Sequence, residues 1–334
     1  MKTNPLVTVI IPNYNHAPYL RERIDSVLAQ DYDNFEVIIL DDCSTDNSRD
    51  IIMEYEGREH LSKIVLNDKN TGNTFIPWDK GIGLAKGEYI WIAESDDVAR
   101  PQLLPTLAGE LQKHPEATVA YCHSRLIDSD GNVLVEQNSR CKEADDTVRI
   151  HDGREYLKGY LLAFNYIYNA SMAVFRKSAF AGVDREFMKL RYCGDWHFWA
   201  SICVQGTVVE AYAMLNDFRQ HRNKVTVRAS ADTRRRMDEA VNYRHIAALA
   251  QLSAFERRCL RGRLTKRLGK DIRGGEIPLG EAEELKATYP DIYGGGWTDI
   301  ALYEIGKHTT GFLKYRQKFT FLAECFANAK KGII

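Results

Sequence analysis

Acidic and polar residues in this chain gather in three short turns, each following a run of β-branched and apolar residues: Pro12-Asn13-Tyr14-Asn15, Asp41-Asp42-Cys43-Ser44-Thr45-Asp46, and Ser95-Asp96-Asp97. Two adjacent carboxylates such as Asp96-Asp97 repel each other and gain most when a divalent cation neutralises them. Mg2+ or Mn2+ suits that role, because such ions take oxygen ligands from one or two carboxylates together with substrate phosphates and water. A plainer reading stands beside it, since Asp is common in turns and at helix starts. Asp41-Asp42 has the same two readings: an N-cap region, or a carboxylate that accepts from a base N–H or a ribose hydroxyl.

The elements that must position these turns follow from periodicity. Val7 to Ile11, Phe35 to Leu40, Lys63 to Leu66, Tyr89 to Ala93 and Thr118 to Tyr121 read as strands. Amphipathic helical segments separate them: one with Pro18 near its start and Leu20, Ile24, Val27 and Leu28 on one face, one from near Asp46 to Gly57, one from Trp78 to Lys86, and one opening at Pro101 that buries Leu103, Leu104, Leu107 and Leu111. Strands alternating with helices predict a mostly parallel sheet flanked by helices, with the ligand crevice at the carboxyl ends of the strands. If the strands are neighbours, the three turns face one pocket. From 121 to about 225 the alternation loosens, with a hairpin expected at Asp130-Gly131 and strand-like runs at Ala170 to Phe175 and Thr207 to Glu210. After Val227 the sequence turns charged and helix-forming. The expected organisation is therefore one α/β unit over 1–228, its more regular half running to about 120, then a helical C-terminal extension over 229–334.

The bulk composition fits this plan. With 334 residues, 44% hydrophobic and 27% charged, the chain can bury a sizeable core and has no room for a long disordered tract. A formal net charge of -1 argues against nucleic acid as a partner. Seven cysteines, scattered, odd in number and without a Cys-x-x-Cys pair, fit reduced thiols and offer no zinc site. The first apolar run stops at Pro12, and no stretch approaches the length of a bilayer span. A cytoplasmic protein, soluble or peripheral on the inner face of the membrane, is expected.

Taken in order, Val7-Thr8-Val9-Ile10-Ile11-Pro12-Asn13-Tyr14-Asn15, Leu40-Asp41-Asp42-Cys43-Ser44-Thr45-Asp46, and Lys86-Gly87-Glu88-Tyr89-Ile90 leading to Ser95-Asp96-Asp97 resemble the family 2 glycosyltransferases of the GT-A fold over about residues 5 to 225. The resemblance implies an inverting transferase that takes a sugar from a nucleotide-sugar, usually UDP-linked, and uses Mn2+ or Mg2+. It implies that the unit over 1–228 is catalytic, with a nucleotide-binding half to about 120 and an acceptor half beyond it. It implies that the turn from Pro12 through Tyr14 and Asn15 lines the nucleotide pocket, that Asp42 contacts the base, that Asp96 lies near the ribose, and that Asp97 holds the metal. Cys193-Gly194-Asp195-Trp196-His197-Phe198-Trp199 resembles the family's Glu-Asp motif, which makes Asp195 the base that deprotonates the acceptor hydroxyl, with Gly194 in place of the usual Glu. Trp196 and His197 follow as acceptor contacts, His197 having a structural role as its alternative. Phe218-Arg219-Gln220-His221 resembles the aromatic-Arg-x-His element, which implies a phosphate contact for Arg219 and a metal or diphosphate contact for His221. Where many members carry Ala-Arg-Asn, this chain reads Ile76-Pro77-Trp78-Asp79-Lys80-Gly81, so the basic donor contact falls to Lys80 or to Lys69.

Other classes fit less well. Gly81, Gly83 and Gly87 precede a strand, whereas a dinucleotide fingerprint follows one. A sugar-phosphate nucleotidyltransferase needs a Gly-rich basic loop where Pro12-Asn13-Tyr14-Asn15 stands. A non-catalytic nucleotide-sugar-binding protein has no use for Asp195. The acceptor is expected to be a saccharide or lipid-linked saccharide, with a bacterial surface polysaccharide as its usual setting. In the extension, the basic stretch Arg257 to Arg273 with Leu260, Leu264 and Leu268 on one face suggests contact with anionic lipid. The stripe Phe312, Tyr315, Phe319, Leu322 and Phe326 suggests self-association into a homo-oligomer.

Overall fold

The computed structural model describes residues 4–136, 147–221 and 233–309. Its centre is a twisted sheet whose first half is parallel: β1 (Val7–Asn13) lies between β2 (Phe35–Asp41) and β4 (Tyr89–Ile92), and β3 (Leu61–Leu66) flanks β2. Every residue of β1, β2 and β4 is buried, because helices cover both faces of this half. Those helices are α1 (Ala17–Leu28), α2 (Ser48–Met53), α3 (Phe75–Leu84) and α4 (Leu103–Lys113). The expected leucines of α4, Leu103, Leu104, Leu107 and Leu111, are fully buried, each contributing about 1.5–3 kcal/mol of transfer free energy. Helix α3 approaches the sheet closely at Gly81, where a Cβ would lie 2.6 Å from the Ile10 side chain.

The second half of the sheet is mixed. Its order is β3-β2-β1-β4-β9-β6-β10-β5, with β7 on β6 and β8 on β10. Strand β9 (Ala173–Arg176) is antiparallel to both β4 and β6 (Ala117–Ile127), while β10 (Thr207–Arg219) runs parallel to β6. Short antiparallel strands β5 (Val98–Ala99) and β8 (Val148–Asp152) close on β10, and β7 (Val133–Val135) returns along β6 through the expected turn, where Gly131 has φ +87°. This arrangement brings the end of β10 beside the turn after β4. Thus Arg219 and the adjoining His221 reach Asp96 and Asp97 from the far end of the domain.

Helices α5 (Gly153–Tyr156) and α6 (Gly194–Cys203) pack against this second half. Beyond residue 232 the chain is helical: α7 (Thr233–Leu249), α8 (Ala254–Arg273), α9 (Leu279–Thr288), α10 (Pro290–Tyr293) and α11 (Trp297–Thr309). A capping box between Ser253 and Glu256 starts α8. Its Leu260, Leu264 and Leu268 are buried against neighbouring helices, so the face expected to meet lipid is occupied inside the protein. Several of its cations are also engaged internally: Arg258 and Arg261 bind Asp299, Arg263 donates to the carbonyls of Leu162 and Ala163, and Lys266 binds Glu304. No described helix is long and apolar enough to cross a membrane. The boundary expected near 228 and the aromatic stripe from Phe312 lie outside the described residues.

Candidate active site

Two adjacent carboxylates at the end of β4 point in opposite directions. Asp97 turns inward and is fully buried. Its Oδ2 accepts from Asn169 Nδ2 and Ser171 Oγ, both at 2.7 Å, and its Oδ1 accepts from the backbone N–H of Arg219 at 3.0 Å. The Arg23 guanidinium lies 3.8 Å away, itself fully buried; it also donates to the Glu94 carbonyl and to Ser171 Oγ. This differs from the expectation that Asp97 faces the ion. Its oxygens are consumed by protein donors that tie the turn after β4 to β10, to the 165–171 segment and to α1.

Asp96 faces the other way. Its Oδ2 lies 3.0 Å from His221 Nε2, and the His221 ring meets His16 edge-on at 5.7 Å and Tyr19 at 5.2 Å. His16 in turn holds Ser95 Oγ through Nδ1 at 2.8 Å. Ligand atoms of His16, Asp96 and His221 all lie within 4.8 Å of one another. Two imidazoles and a carboxylate form a mixed N/O donor set, which suits Mn2+ better than the oxygen-seeking Mg2+. Beside it, burial and the neighbouring Asp96 and Asp97 push the Glu94 carboxyl up to about 8, and Trp78 Nε1 donates to it at 3.0 Å.

The Arg219 guanidinium, expected at a phosphate, is engaged by protein groups. It is buried and spent on the carbonyls of Asp96, Asp128 and Ser129, on Glu22, and on the face of Tyr19. It fastens the carboxyl end of β10 to the turn that carries Asp96.

On the expected nucleotide side, Asn15 has φ +55° and its Oδ1 accepts from Thr45 N, which joins the turns after β1 and β2. Tyr14 is 46% exposed beside them, and Pro12 is buried within β1. Asp42 is buried, and its two oxygens accept from Asn67 Nδ2, from Thr71 N and from Thr71 Oγ1. It therefore clamps the 67–71 loop and has little acceptor capacity left for a base. Lys80 donates to Asn67 Oδ1 at 2.6 Å, which puts it at the same loop; Lys69 is exposed on that loop.

Asp195 opens α6. It is partly exposed, accepts from Asn165 Nδ2 at 2.7 Å, and burial pushes its carboxyl up to about 7 despite that bond and the Trp196 N–H. Gly194 precedes it because the site has no room for a side chain: a Cβ there would lie 2.3 Å from the Phe187 carbonyl and 2.4 Å from the Phe75 ring. Trp196 and His197, expected as acceptor contacts, are both buried and engaged by the protein itself. Trp196 donates to the Leu161 carbonyl and packs on Tyr243. His197 lies between Asn242 and Asp184 and stacks on His245. Asp184, His197 and His245 form a second group of metal-ligating types. Its two rings are stacked at 3.6 Å and 16°, so their in-plane lone pairs run side by side and do not converge on one ion.

One segment connects the two ends of the site. Asn165 holds Asp195, while Asn169 and Ser171 hold Asp97 beside Asp96. Sequence reasoning missed all three, since no motif marks them. It also missed His16 and Arg23. Arg23 had a signal: with Leu20, Ile24 and Val27 it falls on the apolar stripe of α1, where a cation needs a buried partner.

Residues 8–183, more than half of the chain, match Glycosyl transferase family 2. "Glycosyltransferase GlyG" of Streptococcus pneumoniae is 36% identical over 127 residues, 38% of this chain and 42% of that protein. "Putative teichuronic acid biosynthesis glycosyltransferase TuaG" of Bacillus subtilis is 40% identical over 93 residues, 28% of this chain and 36% of that protein. The matches thus span under half the length of these two relatives. The crystal structure of S. aureus TarS 1-349 in complex with UDP-GlcNAc has a TM-score of 0.58 at 18% identity, covering 91% of this chain and 92% of that one, and shares the fold. The chain belongs to glycosyl transferase family 2.

Proposed function

We propose that this protein is a metal-dependent inverting glycosyltransferase that moves a sugar from a UDP-linked or other nucleotide-sugar to a hydroxyl of a saccharide or lipid-linked saccharide, in surface polysaccharide synthesis on the cytoplasmic side. The observation that carries this reading is the 165–171 segment, which ties a carboxyl able to take a proton near neutral pH to the turn bearing the Asp96, His221 and His16 cluster. A donor spanning these ends has its diphosphate at the cluster and its anomeric carbon toward Asp195.

In this reading Asp96, His221 and His16 hold Mn2+ in preference to Mg2+. Held there, such an ion would offer positive charge to a departing diphosphate. Asp195 removes the proton from the acceptor hydroxyl as that oxygen bonds the anomeric carbon from the face opposite the leaving group; the bond from that carbon to the diphosphate oxygen breaks, which inverts the configuration. A pKa near the working pH suits a base. Asn165 orients the carboxylate. Exposed Tyr14 offers a face for the base, the 67–71 loop held by Asp42 closes beside it, and Lys80 is the basic donor contact. Asp97 and Arg219 build the site without touching the donor. A role as a nucleotide-sugar-binding protein without turnover leaves the raised, partly exposed Asp195 carboxyl without a purpose.

The test is release of UDP from a panel of UDP-sugars with an oligosaccharide acceptor, with Mn2+ and with EDTA. Turnover that stops on chelation and returns with Mn2+ is expected. Full turnover in EDTA would refute the metal assignment, and binding without turnover would favour the non-catalytic role.

A further inference from the structure

We infer that the C-terminal helical region is a positioning device for the base, with Asp238 and Asn242 of α7 holding the backbone turn from which Asp195 projects. The inference rests on Asp195 being the base. Helix α6 begins without a side-chain cap of its own: Cys193, at the N-cap, makes none. The turn is gripped instead from α7. Asp238 Oδ2 accepts from the Tyr192 N–H at 2.8 Å, and Asn242 Nδ2 donates to the Cys193 carbonyl at 2.8 Å. Asn242 is fully buried, and since its amide nitrogen is committed to that carbonyl, its Oδ1 faces His197 Nδ1 at 3.2 Å. One side chain of α7 therefore fixes both the residue before α6 and a residue in its first turn, either side of Asp195.

The opposite side of the turn is held rigidly as well. Phe75 fills the space over Gly194, and Asn73 Nδ2 donates to the Met188 carbonyl at 2.6 Å. Trp196, beside Asp195, is fixed by the Leu161 carbonyl and the Tyr243 ring of α7. The charged groups of α7 that face this turn are Arg235, Asp238 and Glu239; Arg235 draws the Asp195 carboxyl down against the upward push of burial. Loss of the α7 grip frees the turn that sets where the carboxylate meets the acceptor, and misplacement by about 1 Å costs roughly 100-fold in rate.

The experiment compares kcat, donor KM and the pH profile of kcat in the full chain for wild type, Asn242→Ala, Asp238→Ala, Asp238→Asn and Asp195→Asn, with UDP affinity in Mn2+ read on the same samples. The expected result is a kcat lowered about 10- to 100-fold in Asn242→Ala and Asp238→Ala at unchanged donor KM and UDP affinity, with a displaced pH midpoint. Asp238→Asn, which keeps an acceptor for the Tyr192 N–H, should recover most of the rate lost in Asp238→Ala. Wild-type kcat and pH midpoint in both alanine variants, with Asp195→Asn inactive, would overturn the inference and leave the base intact. A fall in kcat that follows a matching loss of UDP affinity would also overturn it, as general damage. Transfer by Asp195→Asn would instead bring down the base assignment.

Discussion

Replacing Asp97 with Asn separates a buried structural carboxylate from a metal ligand. The wild-type side chain receives three donors, Asn169 Nδ2, Ser171 Oγ and the Arg219 N–H, at 2.7 to 3.0 Å, with the buried Arg23 cation 3.8 Å away. An amide has one acceptor oxygen. Whichever way it turns, its NH2 confronts a donor, and Arg23 loses the negative charge that offsets its burial. Breaking a buried charge pair from one side costs about 3–5 kcal/mol. At roughly 2 °C per kcal/mol for a domain of this size, that is a fall in Tm of about 6–10 °C. Thermal unfolding by circular dichroism without metal or donor reads this directly. Asp96→Asn, which keeps an oxygen toward His221 and leaves the Asp97 network in place, should unfold within about 2 °C of wild type. An Asp97→Asn variant with wild-type Tm that has lost Mn2+ binding would refute the reasoning and make Asp97 the ligand.

Three further outcomes follow from the geometry. Because the Asp195 carboxyl is raised to about 7, the folded state holds a proton there that the unfolded chain releases near its ordinary value of 3.8, so this group's contribution to stability declines as pH rises from about 4 through about 7. Asp195→Asn should therefore abolish transfer and, relative to wild type, be more stabilising at pH 8 than at pH 4, by at most ~4 kcal/mol and less for a side chain that keeps some water; the same variant-minus-wild-type Tm difference at both pH values would count against it. Gly194→Ala puts a Cβ against Phe187 and Phe75 and should cost about 1–3 kcal/mol in urea unfolding, whereas wild-type stability would mean that the Phe75 ring yields freely. Glu210 is fully buried; burial raises its carboxyl, but hydrogen bonds and charge from His123 and His151 more than offset this and hold it at about 2, so it stabilises above its ordinary range and loses that contribution as pH falls through about 2. Glu210→Gln should lower stability at pH 6 far more than at pH 2, and equal losses at both would contradict the pairing.

Much of the fold was legible because its first half is local. The strands expected from Val7, Phe35, Lys63 and Tyr89 are present, the third starting at Leu61, with helices between them, and α4 buries the four leucines that its pattern marks. The second half was not, because its pairing is long-range. Nothing near Ala173 reveals that β9 inserts antiparallel between β4 and β6. Strand β10 runs past the expected Thr207 to Glu210 as far as Arg219, through the polar Asn216 and Asp217, whose burial is matched by Ser124, Asn169 and Arg125. The same distinction applies to the site. The Asp96-Asp97 pair was visible, but which member turns inward depends on Arg23, Asn169 and Ser171, none adjacent in sequence. For Arg219 the residue type suggested phosphate, while the carbonyls of Asp128 and Ser129 already occupy its fork.

The central claim, that Asp96, His221 and His16 form the metal end of a site whose other end is Asp195, is tested most directly by a crystal structure with UDP and Mn2+, the ion located by its anomalous signal. The account predicts the ion bonded to Asp96 and His221 at about 2 Å, touching the diphosphate, with Asp97 still bound to Asn169 and Ser171. An ion held by Asp97, or a diphosphate seated away from His221, would contradict it.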